Sequence, residues 1–407
     1  MRKLTLPLLF LALIASACGS AAPVAAPGAS TPPASSPSSA DMPCLVVNQA
    51  SAGGTQEPGL LAQFGDRAHA IGPVDAPVTI VVFSDFQCTS CAFEAAILEQ
   101  IRTNHPDDVR LVFVPFPVAS EDKSALALQA AEAADLQGQF WEMHDLLFAQ
   151  QSAWTALSAA AFPAWVQQQA AGLGMDPARF LADFNGSVVA ARVHAAVAST
   201  ASIQHSLPIL FINSSTPYSG RVDLAGLDQV VSLLALSRRQ ASSCPPMIVQ
   251  ASRQYIATLQ TVRGTIVAEL FADKAPLAVN DFVFLAKAGW YDGNTFFKVV
   301  PGQLAESGDP SGTGFGNAGY FFETEIAPGL KFDKPGMLAL ANNGVNTNSS
   351  QFLITEAPLP EMDGQYTIFG QVISGLDVLG QLTARNPAPG QVAAAGDTLQ
   401  SVTITEH

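Results

Sequence analysis

Cysteine and charged residues are both scarce in this sequence. Among 407 residues there are five cysteines, and 13% of the residues are charged, with a formal net charge of −15. An acidic surface argues against nucleic acid and anionic lipid headgroups as partners. Beyond an N-terminal stretch there is no second long apolar run, so nothing else is expected to span a membrane. No P-loop or metal-ligand pattern is visible, and we predict no cofactor and no metal site.

The N-terminal stretch has the pattern of an export signal. Arg2 and Lys3 precede an apolar run at residues 6–14, and small residues then lead into Cys18. The run is too short to cross a bilayer and is typical of a secretory signal. Its end, Ala-Ser-Ala-Cys, resembles the lipobox of bacterial lipoproteins. The resemblance implies that residues 1–18 are a lipoprotein signal peptide and that a lipid on Cys18 anchors the exported protein to the outer face of a bacterial membrane. The alternative is ordinary signal cleavage with a free Cys18.

Composition divides the rest of the chain into segments. Residues 19–41 are almost all Ala, Pro, Ser, Gly and Thr, which cannot bury enough apolar surface to fold. We predict a disordered tether that spans roughly 70 Å when extended as polyproline II. The remaining length favours more than one domain. We predict a first domain at residues 42–240, a linker at residues 241–255 and a second domain at residues 256–407.

The two predicted domains have different secondary-structure patterns. In the first, apolar and β-branched runs at residues 78–83, 109–116 and 208–213 predict strands. A stretch rich in Ala, Leu and Gln at residues 124–200 predicts a helical insertion, so the pattern indicates an α/β layer fold. In the second domain, many short strands separated by Gly- and Asp-rich turns indicate a mainly-β barrel.

Cys44 and Cys244 bracket one segment of the chain. An oxidising compartment favours pairing in an exported protein, so we predict that they form a structural disulfide. Such a bond would tie the two ends of that segment together and restrict its unfolded state. Two unrelated thiols are the alternative, since a disulfide requires the two α-carbons to lie within about 7 Å.

Cys88 and Cys91 form a C-x-x-C pair where a predicted strand gives way to a helix. A thiolate at a helix N-terminus faces unpaired N–H groups and the positive end of the helix dipole, so its pKa falls. A cysteine three residues later lies one turn away, close enough to resolve a mixed disulfide. The alternatives are half of a zinc site and an inert structural disulfide. Zinc is disfavoured because there is no second C-x-x-C and no histidine at ligand spacing.

Residues 65–240 resemble the DsbA-type thioredoxin-like oxidoreductases, on the segments FSDFQCTSC, QGQFWEMHDLLF and LPILFIN. The resemblance implies a thioredoxin-like fold with a helical insertion. It also implies that Cys88 is the nucleophile, that Cys91 resolves the mixed disulfide, and that Pro208 is a cis-proline placed against the cysteines. We therefore interpret the first domain as a thiol-disulfide oxidoreductase.

The first domain departs from that family at three places. The family often has a buried Glu six residues before the first cysteine, where this chain has Val82. Asp85 lies nearby and is a candidate replacement, with a solvated loop acid as the alternative. The dipeptide between the cysteines is Thr-Ser, whose hydroxyls can donate to a thiolate. Leu207 precedes the proline, where Thr or Val is usual.

Residues 256–405 resemble the cyclophilin-type peptidyl-prolyl isomerases, on long segments at residues 264–293, 295–314, 338–355 and 362–372. The resemblance implies a closed antiparallel barrel capped by two helices. Isomerisation about an X–Pro bond requires an apolar pocket for the proline and hydrogen bonds that stabilise the twisted amide, but no nucleophile. In the family an arginine supplies that stabilisation, and this chain has Lys298 at its position. Lysine keeps the charge and loses the planar fork of donors.

The predicted substrate pocket also departs from the family pattern. Its carried-over residues are Gln303, Leu304, Glu306, Asn342, Gln351, Leu353 and Tyr366. Gln303-Leu304 replace a Phe-Met pair, Glu306 replaces a Gln, and Leu353 replaces a Phe, so aromatic contact with the proline is reduced. Tyr366 stands where the family has a histidine, while Asn342 and Gln351 are retained.

Two hypotheses follow for the second domain, because function depends on the site and not on the fold. It is either a weak or substrate-restricted isomerase, or a catalytically impaired module that binds extended peptides or supports the oxidoreductase. We interpret the whole chain as an extracytoplasmic folding factor, because disulfide exchange and proline isomerisation are slow steps of folding. Its predicted partners are unfolded or extended polypeptides, a redox partner of unknown identity, and a membrane contacted through the lipid only.

Overall fold

The structure, a computed structural model, describes residues 41–47, 68–200, 206–214, 216–218, 220, 222–387 and 395–407. The predicted signal peptide, Cys18 and residues 19–40 of the predicted tether lie outside these ranges. Within them, no helix combines the length and the apolar character needed to cross a membrane. The first described element is the short strand β1 (Leu45–Val46).

A four-stranded sheet lies at the centre of the first domain, in the order β2-β4-β3-β5. Its strands are β2 (His69–Ile71), β3 (Val78–Ser84), β4 (Val109–Pro115) and β5 (Ile209–Ile212). β3 pairs parallel with β4 and antiparallel with β5. Every residue of β3 is buried, which explains why the sequence there is a continuous apolar run rather than an alternating one.

Eight helices accompany this sheet in the described part of the first domain. They are α1 (Thr89–Asn104), α2 (Ser124–Asp135), α3 (Phe140–Ala149), α4 (Gln151–Thr155), α5 (Phe162–Gly172), α6 (Pro177–Phe184), α7 (Ser187–Thr200) and α8 (Leu224–Ala235). Helices α2 to α7 form the predicted helical insertion between β4 and β5. The predicted α/β layer fold with a helical insertion is therefore present, and it places the C-x-x-C between β3 and α1.

The second domain contains a curled antiparallel sheet of nine strands, in the order β8-β15-β6-β7-β14-β12-β13-β10-β9. The strands of this domain are β6 (Tyr255–Thr261), β7 (Gly264–Leu270), β8 (Asn294–Thr295), β9 (Lys298–Val300), β10 (Leu304–Ser307), β11 (Tyr320–Phe321), β12 (Met337–Leu340), β13 (Phe352–Thr355), β14 (Ile368–Ser374) and β15 (Thr398–Glu406). Helices α9 (Pro276–Lys287) and α10 (Leu376–Leu379) accompany it. Aromatic rings, including Phe282, Phe352 and Phe369, fill its core.

The predicted closed barrel is a half-barrel in the structure. The edge strands β8 and β9 are separated by two residues in the chain, and the backbone groups there pair with other segments. The Phe296 N–H donates to the Asp397 carbonyl, and Val299 exchanges two backbone hydrogen bonds with Arg385. β8 and β9 lie at the two ends of the described sheet and do not pair with each other, so the sheet curls without closing.

The predicted linker is held against the second domain. The Asn280 side chain on α9 accepts hydrogen bonds from the backbone N–H groups of Ile248 and Val249, and donates one to the Pro246 carbonyl. Asn280 is fully buried, so its amide satisfies backbone groups that would otherwise lie unpaired next to the core. This segment is therefore part of the second domain's packing.

Residues 42–47, which the sequence analysis assigned to the first domain, lie on the second domain. Met42 is buried among the second domain's core residues, its N–H donates to the Pro245 carbonyl, and β1 pairs antiparallel with β11. Cys44 and Cys244 are joined in a disulfide, with their α-carbons 5.7 Å apart. The disulfide therefore joins two segments that both contact the second domain, and the first domain is the loop between them.

Candidate functional site

Cys88 lies at the N-terminal end of α1 and caps that helix. Its sulfur accepts a hydrogen bond from the Cys91 N–H at 3.3 Å and lies 3.1 Å from the Ser90 hydroxyl. Cys88 is half-buried, whereas Cys91 is fully buried, and both are free thiols. The Cys88 sulfur is therefore the accessible one, and the Cys91 sulfur is shielded from solvent.

The two thiols differ in acidity. A hydrogen bond from the Cys91 thiol is the largest cause that lowers the pKa of Cys88 to about 6, with further help from the Ser90 hydroxyl and the Cys91 N–H. The same hydrogen bond, together with burial, raises the pKa of Cys91 well above its ordinary value. Cys88 is thus a thiolate at neutral pH, and Cys91 keeps its proton. The sequence predicted a lowered pKa from the helix N-terminus, and the structure adds the neighbouring thiol as a cause that the sequence analysis did not name.

The Leu207–Pro208 peptide bond is cis and lies beside this pair. The Ser90 hydroxyl donates to the Leu207 carbonyl at 3.1 Å, so one serine contacts both the nucleophile and the proline loop. The sequence predicted Pro208 at this site and hydroxyl donation from the Thr-Ser dipeptide to the thiolate, but not the contact between Ser90 and the Leu207 carbonyl. Gln151 was also missed, although its side-chain amide donates to the carbonyls of Phe86 and Cys88.

Asp85 is not a solvated loop acid, and its carboxylate is occupied. It is 2% exposed and accepts hydrogen bonds from the Gln87 N–H, the Val118 N–H and the Ser124 hydroxyl. Burial raises its pKa, while these hydrogen bonds oppose that shift. With both oxygens engaged, Asp85 holds together the loops around the cysteines rather than serving as a free proton acceptor.

Val82 faces a small cavity behind the cysteine pair. The cavity is lined by Val82, Cys91, Glu94 and the rings of Phe113 and Phe148, among others. Glu94 is a carboxylic acid that the sequence analysis did not single out. Glu94 is buried in α1, on the same face of the helix as Cys91.

A groove of about 310 Å³ crosses the second domain. Six of the predicted pocket residues and the predicted catalytic lysine line it, namely Lys298, Leu304, Glu306, Asn342, Gln351, Leu353 and Tyr366. Leu304 and Leu353 are buried and belong to an apolar cluster beneath the groove. The groove therefore has an apolar floor and mostly polar walls.

Lys298 and Glu306 form an ion pair in this groove. They face each other across the paired strands β9 and β10, with the Lys298 Nζ 2.6 Å from the Glu306 Oε1. The Lys298 side chain is 39% exposed and that of Glu306 is 13% exposed. The one cation predicted to act on substrate is consequently held by a carboxylate of the same site.

The side chains of Gln351 and Asn342 form hydrogen bonds with protein groups around the groove. The Gln351 side-chain amide donates to the carbonyls of Gly314 and Gly316, and so holds the loop that forms one wall. Asp309 holds the same loop from below by accepting from the N–H groups of Gly314 and Gly316. Asn342 donates weakly to Asn348, with a separation of 3.3 Å.

The structure does not bring Gln303 into the groove. Gln303 is exposed in the turn between β9 and β10, whereas its neighbour Leu304 points into the apolar cluster. Of the replaced Phe-Met pair, only the second position faces the groove here. Among the residues that the structure describes, no cluster of His, Cys, Asp or Glu is arranged to hold a metal ion.

Comparison with known proteins divides the chain in the same way as its two sheets. Residues 256–407 match the family described as cyclophilin type peptidyl-prolyl cis-trans isomerase/CLD, and residues 66–230 match a thioredoxin family. A solved cyclophilin-type isomerase of Cryptosporidium parvum is 32% identical and matches 37% of this chain and 98% of its own, with a TM-score of 0.35.

Two curated relatives are similar to the second domain. Peptidyl-prolyl cis-trans isomerase CYP18-1 of Arabidopsis thaliana is 43% identical over 150 residues, which is 36% of this chain and 94% of that protein. Peptidyl-prolyl cis-trans isomerase ppi1 of Schizosaccharomyces pombe is 48% identical over 123 residues, which is 30% of this chain and 79% of that protein. Both alignments span most of the relative and less than half of this chain.

Proposed function

Because this chain belongs, through its second domain, to the cyclophilin-type peptidyl-prolyl cis-trans isomerase family, and because its first domain is thioredoxin-like, we propose that it is a folding factor with two activities. The second domain isomerises X–Pro bonds in unfolded or extended polypeptides. The first domain exchanges thiols and disulfides through Cys88 and Cys91.

The observation that carries the isomerase proposal is a cation placed above an apolar floor. The barrier to rotation about an X–Pro bond is about 20 kcal/mol, because the amide has double-bond character. The proline ring packs on Leu304 and Leu353, and the Lys298 ammonium donates a hydrogen bond to the amide as it twists. Donors directed at the transition state lower such a barrier without a covalent step.

Glu306 competes with the substrate for Lys298. An ammonium held at 2.6 Å from a carboxylate must be shared before it can donate to a substrate carbonyl. Lysine also offers a point charge rather than the two aligned donors of a guanidinium. We therefore expect a slow isomerase whose rate is limited by this pair.

The isomerase proposal is tested on the full-length chain with a proline peptide whose cis and trans forms are distinguished spectroscopically. Lys298→Ala should lower kcat/KM at least tenfold, whereas Glu306→Gln and Lys298→Arg should each raise it several-fold. Lys287 and Glu406 form an ion pair outside the groove, and Glu406→Gln is the matched control that should change nothing. An inactive wild type that gains activity in Lys298→Arg would favour the peptide-binding module instead.

The exchange proposal rests on the unequal pair of thiols. A half-buried thiolate with a pKa of about 6 attacks a client disulfide, and a buried thiol one turn away then releases the client. Wild type should reduce a small protein disulfide with turnover in the presence of a thiol reductant. Cys91→Ser should become trapped as a mixed disulfide with the client, and Cys88→Ser should not react. A wild type without turnover, together with a Cys91→Ser variant that forms no mixed disulfide, would leave only a structural role.

Export and lipid anchoring complete the proposal. Cys18 follows a short apolar run, and the Cys44–Cys244 disulfide suits an oxidising compartment. Mass spectrometry of the N-terminal peptide from cells should find a cleaved chain that begins with an acylated Cys18. A peptide that begins elsewhere, or that carries an unmodified Cys18, would contradict the anchor.

A further inference from the structure

Glu94 is buried in α1 with one oxygen that has no hydrogen-bond partner. The residue is 4% exposed, and its Oε1 is among the few buried polar side-chain atoms of the described chain without a partner. Leaving a buried carboxyl oxygen unpaired costs free energy that an apolar side chain would not. A polar group kept at such a cost invites a functional explanation.

Glu94 and Cys91 share one face of the helix and one cavity. They are three residues apart on α1, which places their side chains on neighbouring turns of the same face. Both line the cavity that Val82, Phe113 and Phe148 enclose with apolar walls. The carboxyl group and the buried thiol therefore face the same secluded space.

Few other ionisable groups face this cavity. Glu99 comes from the same helix, where its carboxylate pairs with Arg102, and Asp145 comes from α3, where it bonds His144. Burial lowers the pKa of His144, so its ring is neutral near neutral pH. Glu99 and Asp145 are 42% and 47% exposed at their side chains, which gives the cavity an outlet to water. Asp85 lies near the cysteines, but its oxygens are already occupied.

We propose that Glu94 is the proton acceptor for Cys91 when the client is released. This inference rests on the proposed thiol-disulfide exchange. In the mixed disulfide, the Cys91 thiol passes its proton to the Glu94 carboxylate across the shared cavity. The Cys91 sulfur then bonds to the Cys88 sulfur, and the bond between Cys88 and the client sulfur breaks. The client sulfur leaves as a thiolate, so the client disulfide is reduced and the cysteine pair is oxidised by two electrons.

The charge on Cys88 influences when Glu94 can accept a proton. Burial, and then the nearby Cys88 thiolate, raise the pKa of Glu94 to about 8. In the free dithiol Glu94 is therefore mostly protonated and leaves the low-pKa thiolate undisturbed. When Cys88 enters a mixed disulfide its charge disappears, so the pKa of Glu94 falls. A larger fraction of Glu94 is therefore carboxylate in the state in which Cys91 must lose a proton, while burial, the larger cause of the raised pKa, remains.

Ellman's reagent separates the two steps on the full-length chain. Attack by Cys88 releases one coloured thiolate, and resolution by Cys91 releases a second, so stopped-flow absorbance records two phases. Glu94→Gln should leave the first phase unchanged and slow the second by about 100-fold at neutral pH, with recovery as pH rises. Glu99→Gln, on the same helix and the same cavity, is the control that should change neither phase.

Stability supplies a readout that a merely structural Glu94 would not give. Glu94→Met removes the unpartnered oxygen and should raise the thermal midpoint while slowing the second phase as Glu94→Gln does. If a Glu94 variant does not fold, the proposal is tested on the wild type by infrared spectroscopy. Its infrared carboxylic-acid band should lose intensity at neutral pH when Cys88 is alkylated, because the pKa of Glu94 then falls.

Three results would count against the inference. The first two concern Glu94 alone, and the third concerns the exchange reaction itself. A second phase of wild-type speed in Glu94→Gln would overturn the role of Glu94 and leave the exchange reaction intact. An infrared band that is unchanged by alkylation would do the same. A wild type that releases no thiolate in either phase would overturn the proposed exchange itself, and the role of Glu94 with it.

Discussion

At the residue scale, the reactivity of Cys88 depends on the thiol beside it. The Cys91 thiol is the largest cause of the lowered pKa of Cys88, ahead of the Ser90 hydroxyl. Cys91→Ala should therefore move the midpoint of Cys88 alkylation upward by at least about one pH unit, and Ser90→Ala should move it by less. Thr89→Ala, which removes the other hydroxyl between the cysteines, is the control. Equal midpoints in wild type and Cys91→Ala would contradict this assignment.

A second residue-scale effect is the burial of Asp281 in the second domain. Asp281 is fully buried, and it accepts a hydrogen bond from the Tyr320 hydroxyl while its other oxygen has no partner. Burial raises the pKa of Asp281 to about 8. The folded state therefore holds a proton that the unfolded state has already lost, so stability should fall as pH rises from about 4 to about 8, and then level off.

The variant Asp281→Asn tests the predicted fall in stability as pH rises. The variant removes the titration, so its free energy of unfolding should depend less on pH than that of wild type. Above pH 8 the free energy of unfolding of the variant should exceed that of wild type by several kcal/mol, at about 1.4 kcal/mol per pKa unit, and its thermal midpoint should be higher. The exposed Asp273→Asn is the matched control and should follow wild type at every pH. A variant that loses stability equally at acidic and alkaline pH would show that Asp281 contributes as a hydrogen-bond acceptor and not through its buried proton.

At the element scale, the disulfide controls how the segments at residues 41–47 and 244–249 lie on the second domain. The Val47 N–H donates to the Gly319 carbonyl and the Met42 N–H donates to the Pro245 carbonyl, and Cys44 lies between these two residues. When the disulfide is reduced or deleted, we therefore expect β1 to separate from β11 more readily. In the double variant Cys44→Ser/Cys244→Ser, the amides of Met42 and Val47 should exchange with solvent at least tenfold faster, while β13 stays protected. Cys88→Ser leaves the bridge intact and should not change their exchange. Unchanged rates in the double variant would show that backbone pairing alone holds β1.

Elements with strong local signals were predicted well, and those that depend on distant contacts were not. The strand at β3 and the helix that begins after Cys88 follow from an apolar run and its end. The docking of the linker involves the amide of Asn280, a contact that no local pattern reveals. Glu94 lay within reach of the sequence, because Cys91, Glu94, Ile97, Leu98 and Ile101 recur at helical spacing and share the buried face. Gln303 lies outside the groove because it belongs to the turn between β9 and β10, where its side chain is exposed.

At the scale of the whole molecule, the two domains meet at the wall of the groove. The Gln240 side chain donates to the Asn317 carbonyl, and the Ala241 N–H donates to the Ala318 carbonyl. Arg239 donates to the Trp290 carbonyl and lies 5.2 Å from the centre of that ring. The end of the first domain thus contacts the loop that lines the groove.

One refolding experiment tests the central claim, that a single chain accelerates both slow steps of folding. A reduced client with one native disulfide and one native cis-proline is refolded with full-length protein and oxidised glutathione, and both slow phases are timed. We predict that wild type accelerates both phases, that Cys88→Ser loses only the disulfide phase, and that Lys298→Ala loses only the proline phase. Refolding in which wild type accelerates neither phase would contradict the claim.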